Sequence, residues 1–217
     1  MARKSFDEAL EDIKKDIIHS AELAKEAVGK AVESLAKQNL DIAQKVYELE
    51  EELDILNLAI EEECLKATAL HQPVARDLRF IAAMMKISEI FERIGDYSLK
   101  IAEIAKATAD KPLVKPLIDV PRMAEAAREM IDIDIKALKT HELAPLYELS
   151  KKDDLIDALY EQVYKELLII MFQDSRKIEG ATHLLFVARY LERIGDLAGN
   201  VGARIIFMVE GKRVLIK

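Results

Sequence analysis

The chain has 217 residues, with no tryptophan, one cysteine, five prolines and seven glycines. Glycine and proline together fall to about half of the ~12% found in average soluble domains. Sandwiches and barrels need many turns built on those residues, so the shortage argues against an all-β fold. Cys64 has no second cysteine to pair with, which fits a reducing compartment. Basic residues number 32 against 40 acidic ones, for a net charge of −8. That balance argues against duplex nucleic acid as a partner, because phosphate binding needs a basic footprint. Long hydrophobic runs are missing too. Leu167–Phe172 falls far short of a membrane span. Met1–Phe6 leads directly into an amphipathic pattern with no apolar signal core. The expectation is a soluble cytoplasmic protein. What the chain does have is 51% hydrophobic and 33% charged residues, enough to fill a core and solvate its exterior.

The hydrophobic pattern is helical almost throughout. Phe6, Leu10, Ile13, Ile17, Ala24, Ala31 and Leu35 follow the three-and-four spacing of a helix seam, with a break at Asn39. A second helix carries Ile42, Val46, Leu49, Leu53, Leu56 and Ile60 and stops at His71-Gln72-Pro73. A third shows Phe80, Met84, Ile87, Phe91, Ile94 and Ile101 and ends near Ala109. Pro112, Pro116 and Pro121 mark a linker from Asp110 to Pro121. A fourth helix is expected from about Arg122 to Lys139, although Ile131-Asp132-Ile133-Asp134-Ile135 alternates like a strand. Pro145 suits the first turn of a fifth helix, seamed by Leu149, Ile156, Leu159, Val163, Leu167 and Ile170. Asp174 and Ser175 can cap a sixth, which carries Leu184, Val187, Leu191, Ile194, Val201 and Ile205 and ends near Gly211. The fold class is therefore all-α: six long helices forming two repeated antiparallel three-helix bundles, residues 1–110 and 111–217.

The repeat shows most clearly in one motif. Glu92-Arg93-Ile94-Gly95-Asp96 recurs as Glu192-Arg193-Ile194-Gly195-Asp196. A looser pair sits one helix earlier: Glu50-x-x-x-Asp54 and Asp153-x-x-x-Asp157. Residues four apart project from one side of a helix, and like charges there cost about 0.2–0.5 kcal/mol. Glu50, Asp54, Glu92, Asp157 and Glu192 each follow a seam residue, so these carboxylates flank the core. If neighbouring helices run antiparallel, the pairs converge and need cations or protons. Oxygen donors suit magnesium, manganese, calcium or ferric iron. Such pairs also occur on solvated faces that bind nothing, and Arg93 and Arg193 can neutralise a neighbour as ordinary salt bridges do. Gly95 and Gly195 cost a helix about 1 kcal/mol each and read first as packing glycines.

Catalytic signatures are scarce. No Glu-x-x-His spacing surrounds His19, His71, His141 or His183, and there is no His-Glu-x-x-His motif or phosphate-binding glycine loop. Nothing resembles a nucleophile with its base, so the reading is non-enzymatic. A carboxylate-bridged metalloenzyme, a phosphatase or an iron oxidase, is the alternative.

The duplicated Glu-Arg-Ile-Gly-Asp resembles the PhoU family. Ala59–Cys64 followed by Gln72-Pro73-Val74-Ala75-Arg76-Asp77-Leu78-Arg79 resembles its first-repeat signature. The second repeat departs from the first: Gln173 stands opposite Pro73, and Lys177 opposite Asp77. The resemblance implies two related three-helix bundles whose acidic motifs bind metal, in some members as multinuclear iron clusters. Carried over, one site takes Glu50, Asp54, Glu92 and Asp96. The other takes Asp153, Asp157, Glu192 and Asp196. Glu89 is left out because Arg189 holds the equivalent position. The resemblance further implies a cytoplasmic regulator, often a homodimer, that meets the membrane only through its partners. Those partners are the ATPase subunit of the phosphate-specific ABC transporter and a sensor histidine kinase. The implied role is to restrain phosphate uptake and repress the phosphate-starvation response.

Overall fold

The computed structural model describes residues 2–216. Six long helices account for nearly all of it: α1 (Ala2–Lys37), α2 (Leu40–His71), α3 (Ala75–Ala107), α4 (Asp119–Thr140), α5 (Leu149–Gln173) and α6 (Ile178–Glu210). No strand occurs among the described residues.

The ends are set by local chemistry. The Asn39 side chain accepts hydrogen bonds from the Asp41 and Ile42 amides, satisfying two donors that the start of α2 leaves free. Gly211 ends α6 with φ +74°, a left-handed conformation that glycine adopts without penalty. Three expected boundaries shift. The linker runs from Thr108 to Ile118, because α4 starts at Asp119 and takes Pro121 into its first turn, where no amide donor is needed. Pro145 lies in a separate 3₁₀ turn, Ala144–Glu148, that precedes α5. The Asp174 carboxylate accepts from the Arg176 amide and so caps a short 3₁₀ turn, Ser175–Lys177, ahead of α6. The alternating stretch Ile131–Ile135 is helical, inside α4.

Helices α1, α2 and α3 pack mutually into one bundle, and α4, α5 and α6 into another. Consecutive helices within each bundle are antiparallel, so the first and third run parallel. His19 meets Glu52 across α1 and α2, and Ser88 Oγ donates to Asn57 Oδ1 at 2.7 Å across α3 and α2. The bundles join through α3 against α6 and α1 against α4. Both contacts are antiparallel: Tyr97 meets Tyr190 with tilted rings at 5.7 Å while Arg79 lies beside Gly211, and Lys25 pairs with Asp132 at 2.7 Å while Glu22 pairs with Lys139. A pseudo-two-fold axis thus relates the halves. The core is continuous, with Ile17, Leu35, Ile60, Phe91, Ile135, Leu167 and Ile205 all buried. Cys64 is fully buried, and its thiol is pushed up to about 12, which makes it inert.

Candidate metal centre

Each half carries its acidic pairs on two antiparallel helices, α2 with α3 and α5 with α6. The registers match. A Cβ on Gly95 would lie 2.7 Å from Leu53 Cδ1 and 3.8 Å from Glu50 Cγ. A Cβ on Gly195 would lie 2.9 Å from Ile156 Cδ1 and 3.4 Å from Asp153 Oδ1. The two motif glycines therefore let the helices approach directly beside the first acid of the facing pair. They are packing glycines, and what they pack against is the candidate site.

In the first half Glu50 is partly buried, and its carboxyl is raised by that burial and then by the charges of Asp54 and Asp96. Glu92 is raised by burial and then by Asp96 and Asp54. The four expected residues are thus mutual neighbours across α2 and α3. Asp54 is exposed and Asp96 partly buried. Lys100 reaches Asp96 only at 4.0 Å.

The second half repeats this with larger effects. Asp153 is raised to about 6 by burial, then by Asp157 and Asp196. Asp157 is raised by burial and by Asp196. Glu192 is raised by burial, against the pull of Arg189, whose guanidinium donates to Glu192 Oε1 at 2.6 Å. Arg193 stands 3.9 Å from both Glu192 and Asp196, too far for a strong ion pair. Glu192 Oε2 is buried and has no hydrogen-bond partner.

The structure therefore gathers all eight expected carboxylates into two clusters, four in each half. As the side chains stand, no group of three or more His, Cys, Asp or Glu among the described residues is arranged to hold a metal ion. The donor set nevertheless fits a hard cation: oxygen ligands only, raised carboxyls in both halves, and one buried acceptor without a donor.

Sequence reasoning missed two residues. Arg189, passed over as a mere mismatch to Glu89, is the internal counter-charge of the second cluster. Asp134 on α4 is completely buried, and neither carboxylate oxygen has a partner. Burial raises it well above its ordinary value. It sits where a Gly202 Cβ would come within 3.3 Å of its Oδ1. The signal was available, since Asp134 falls between Ile131 and Ile135 on the face that also carries Leu138.

The fold and the two clusters define a class: fused, two-fold-related three-helix bundles, each with facing acidic pairs on adjacent helices. The PhoU domain model matches the chain twice, over residues 17–105 and 120–205. The chain belongs to the PhoU family. It is 39% identical to the phosphate-specific transport system accessory protein PhoU homolog of Aquifex aeolicus, over 94% of this chain and 93% of that one. The homolog of the same description from Clostridium acetobutylicum is 33% identical over 99% and 98%. The crystal structure of PhoU from Pseudomonas aeruginosa superposes with a TM-score of 0.91 at 28% identity, covering 95% of this chain and 100% of that chain. No helix among the described residues is long and apolar enough to cross a membrane.

Proposed function

We propose that this chain is a cytoplasmic accessory protein of phosphate transport that acts as a non-enzymatic regulatory adaptor. Two units, residues 1–110 and 111–217, each hold metal through their acidic pairs. The observation that carries the reading is the duplicated Glu-Arg-Ile-Gly-Asp motif, facing a second acidic pair in each half of a chain related throughout to phosphate-specific transport accessory proteins. The partners are the transporter's ATPase subunit and a sensor histidine kinase. The output is restraint of uptake and of the starvation response, and the working form is a homodimer.

Glu50, Asp54, Glu92 and Asp96 would hold the ions of the first unit. Asp153, Asp157, Glu192 and Asp196 would hold those of the second. Iron suits the donors, with magnesium, manganese or calcium as alternatives. The bound cation supplies positive charge that offsets the mutual repulsion of the carboxylates. The chain's own part is to hold the pairs side by side, through the close approach that Gly95 and Gly195 allow.

Two measurements test this. Metal analysis of the purified protein should find bound metal that falls with Asp96→Ala and with Asp196→Ala; a protein with none sinks the metal claim. A pull-down against the transporter ATPase and the sensor kinase should capture at least one, and capture of neither counts against the adaptor. Turnover of a phosphoester or of ferrous iron that vanished with the same substitutions would replace the adaptor with an enzyme.

A further inference from the structure

The back of α2 carries an apolar stripe that its counterpart does not repeat at the centre. Ile55, Leu58 and Leu65 are 63%, 66% and 56% exposed. With Glu62 they follow the three-and-four spacing of one helix face, over about 15 Å. The buried seam of the same helix, Leu53, Ile60 and Cys64, lies on the other side. These three residues therefore contribute nothing to the bundle's own core. The register fixed by the motif glycines sets Ile55 opposite Ala158, Leu58 opposite Glu161, Glu62 opposite Lys165 and Leu65 opposite the half-buried Leu168. On α5 Lys165 approaches Glu161 at 3.5 Å on that face, and the exposed apolar residues Leu155, Ile169 and Phe172 are split by this polar stretch. Two copies of one unit thus differ at the centre of this face, where Leu58 on α2 stands opposite Glu161 on α5.

Charge identifies the occupant. No basic residue lies between Val46 and Leu65, while Glu48, Glu51, Glu61, Glu62 and Glu63 surround the stripe. Lys66 pairs with Glu62 and Glu63 at its far end, 2.9 Å from each. Glu52 meets His19 on the side toward α1. A second copy docking through the same face would bring these carboxylates against themselves, with each chain already at −8. An apolar strip rimmed by one sign of charge matches a helix with an apolar seam flanked by the opposite sign.

We infer that the outer face of α2, centred on Ile55, Leu58 and Leu65, docks a basic amphipathic helix of a partner protein. The inference rests on the accessory-protein reading only in supposing a protein partner, and it does not involve bound metal. The apolar stripe supplies the contact area, and the surrounding glutamates set orientation and exclude acidic partners. The α5 face, with Glu161 and Lys165 in place of Leu58 and Glu62, is not a second copy of this site.

The test uses the full chain and a synthetic Leu/Lys peptide patterned at helical spacing, with fluorescence anisotropy as the readout. Binding should weaken about tenfold in Leu58→Ser and in Ile55→Ser. It should weaken similarly in Glu51→Lys, fall steeply with salt, and stay unchanged in Lys165→Ser on α5. A Leu/Glu peptide of the same pattern should not bind. Unchanged thermal melts will show that the exposed substitutions leave the fold intact. Absence of binding overturns the inference, as does equal binding by Leu58→Ser, which would mean charge attraction alone. A dimer in sedimentation that Leu58→Ser dissociates also overturns it, by assigning the stripe to a second copy. The peptide is neither transporter nor kinase, so this outcome is independent of the pull-down above.

Discussion

In the first bundle Glu89 stands one turn before Glu92; in the second, Arg189 stands one turn before Glu192. Glu89 points to solvent and pairs with Lys86 at 2.6 Å. Arg189 turns the other way in chemical terms and clamps the acid of the motif itself. The second cluster is thus partly neutralised from within, with Asp153 raised to about 6 and both Asp153 and Glu192 partly buried. The first has only longer-range partners, Arg93 acting on Glu92 and Lys100 at 4.0 Å from Asp96. Two sites that look alike as motifs differ in how much of their charge the protein itself balances. The second half also buries Asp134 where the first has Ala31, and faces it with Gly202 where the first has Ala102.

The largest effect should come from forcing the first half to copy that burial. Ala31→Asp puts an unpartnered carboxyl into a position with no glycine opposite, at a cost of about 4 kcal/mol or more. A melting temperature lowered by no more than a few degrees would show that the site has room. Next, Arg189→Glu turns the second cluster into the first. It removes the 2.6 Å charge-assisted bond to a side chain that is 15% exposed, and should cost about 2–3 kcal/mol in denaturant unfolding. The mirror substitution Glu89→Arg breaks only a surface pair and should stay below about 1 kcal/mol.

Asp134→Ala should stabilise the protein at neutral pH by about 1–3 kcal/mol, because it removes a buried polar group that nothing satisfies. It should also flatten the pH dependence. A carboxyl raised in the folded state binds its proton to higher pH than the unfolded chain does. Stability therefore falls as pH climbs from the unfolded value, near 4, toward the folded one. The smallest effect belongs to Asp153, which has the same sign. Its destabilisation is full above pH ~6 and gone below about 4, so melting temperature should rise as pH drops from 7 to 4.5. Solvent screening limits its share to a few degrees, and Asp153→Asn should reduce the rise by that share while leaving what Asp134 and the other raised carboxyls contribute.

Periodicity made the fold readable. Each long helix carries a seam the core then buries, and Asn39, the proline linker and Gly211 announced the ends. The motif acids were readable as well, because duplication repeated them in register. Arg189 was not, since an i+3 ion pair depends on which way a long side chain turns. Asp134 was hidden by the Ile-Asp-Ile-Asp-Ile alternation, which draws attention to the strand period and away from the helix face that Asp134 shares with Ile131 and Leu138. The α2 stripe was out of phase with the seam, and only knowing which face the bundle covers reveals that Ile55 and Leu58 are spare.

The antiparallel joint has a consequence for the history of the chain. α1 meets α4 and α3 meets α6, so each helix at the seam faces its own counterpart across a two-fold axis. That is the geometry of an isologous dimer of one half. A dimer of identical halves must repeat every substitution twice, and a change useful on one side is imposed on the other. Joining the halves through residues 108–118 lifts that restriction. Asp134 opposite Ala31, Arg189 opposite Glu89, and leucine opposite glutamate on α2 and α5 are differences that only a fused pair is free to accumulate.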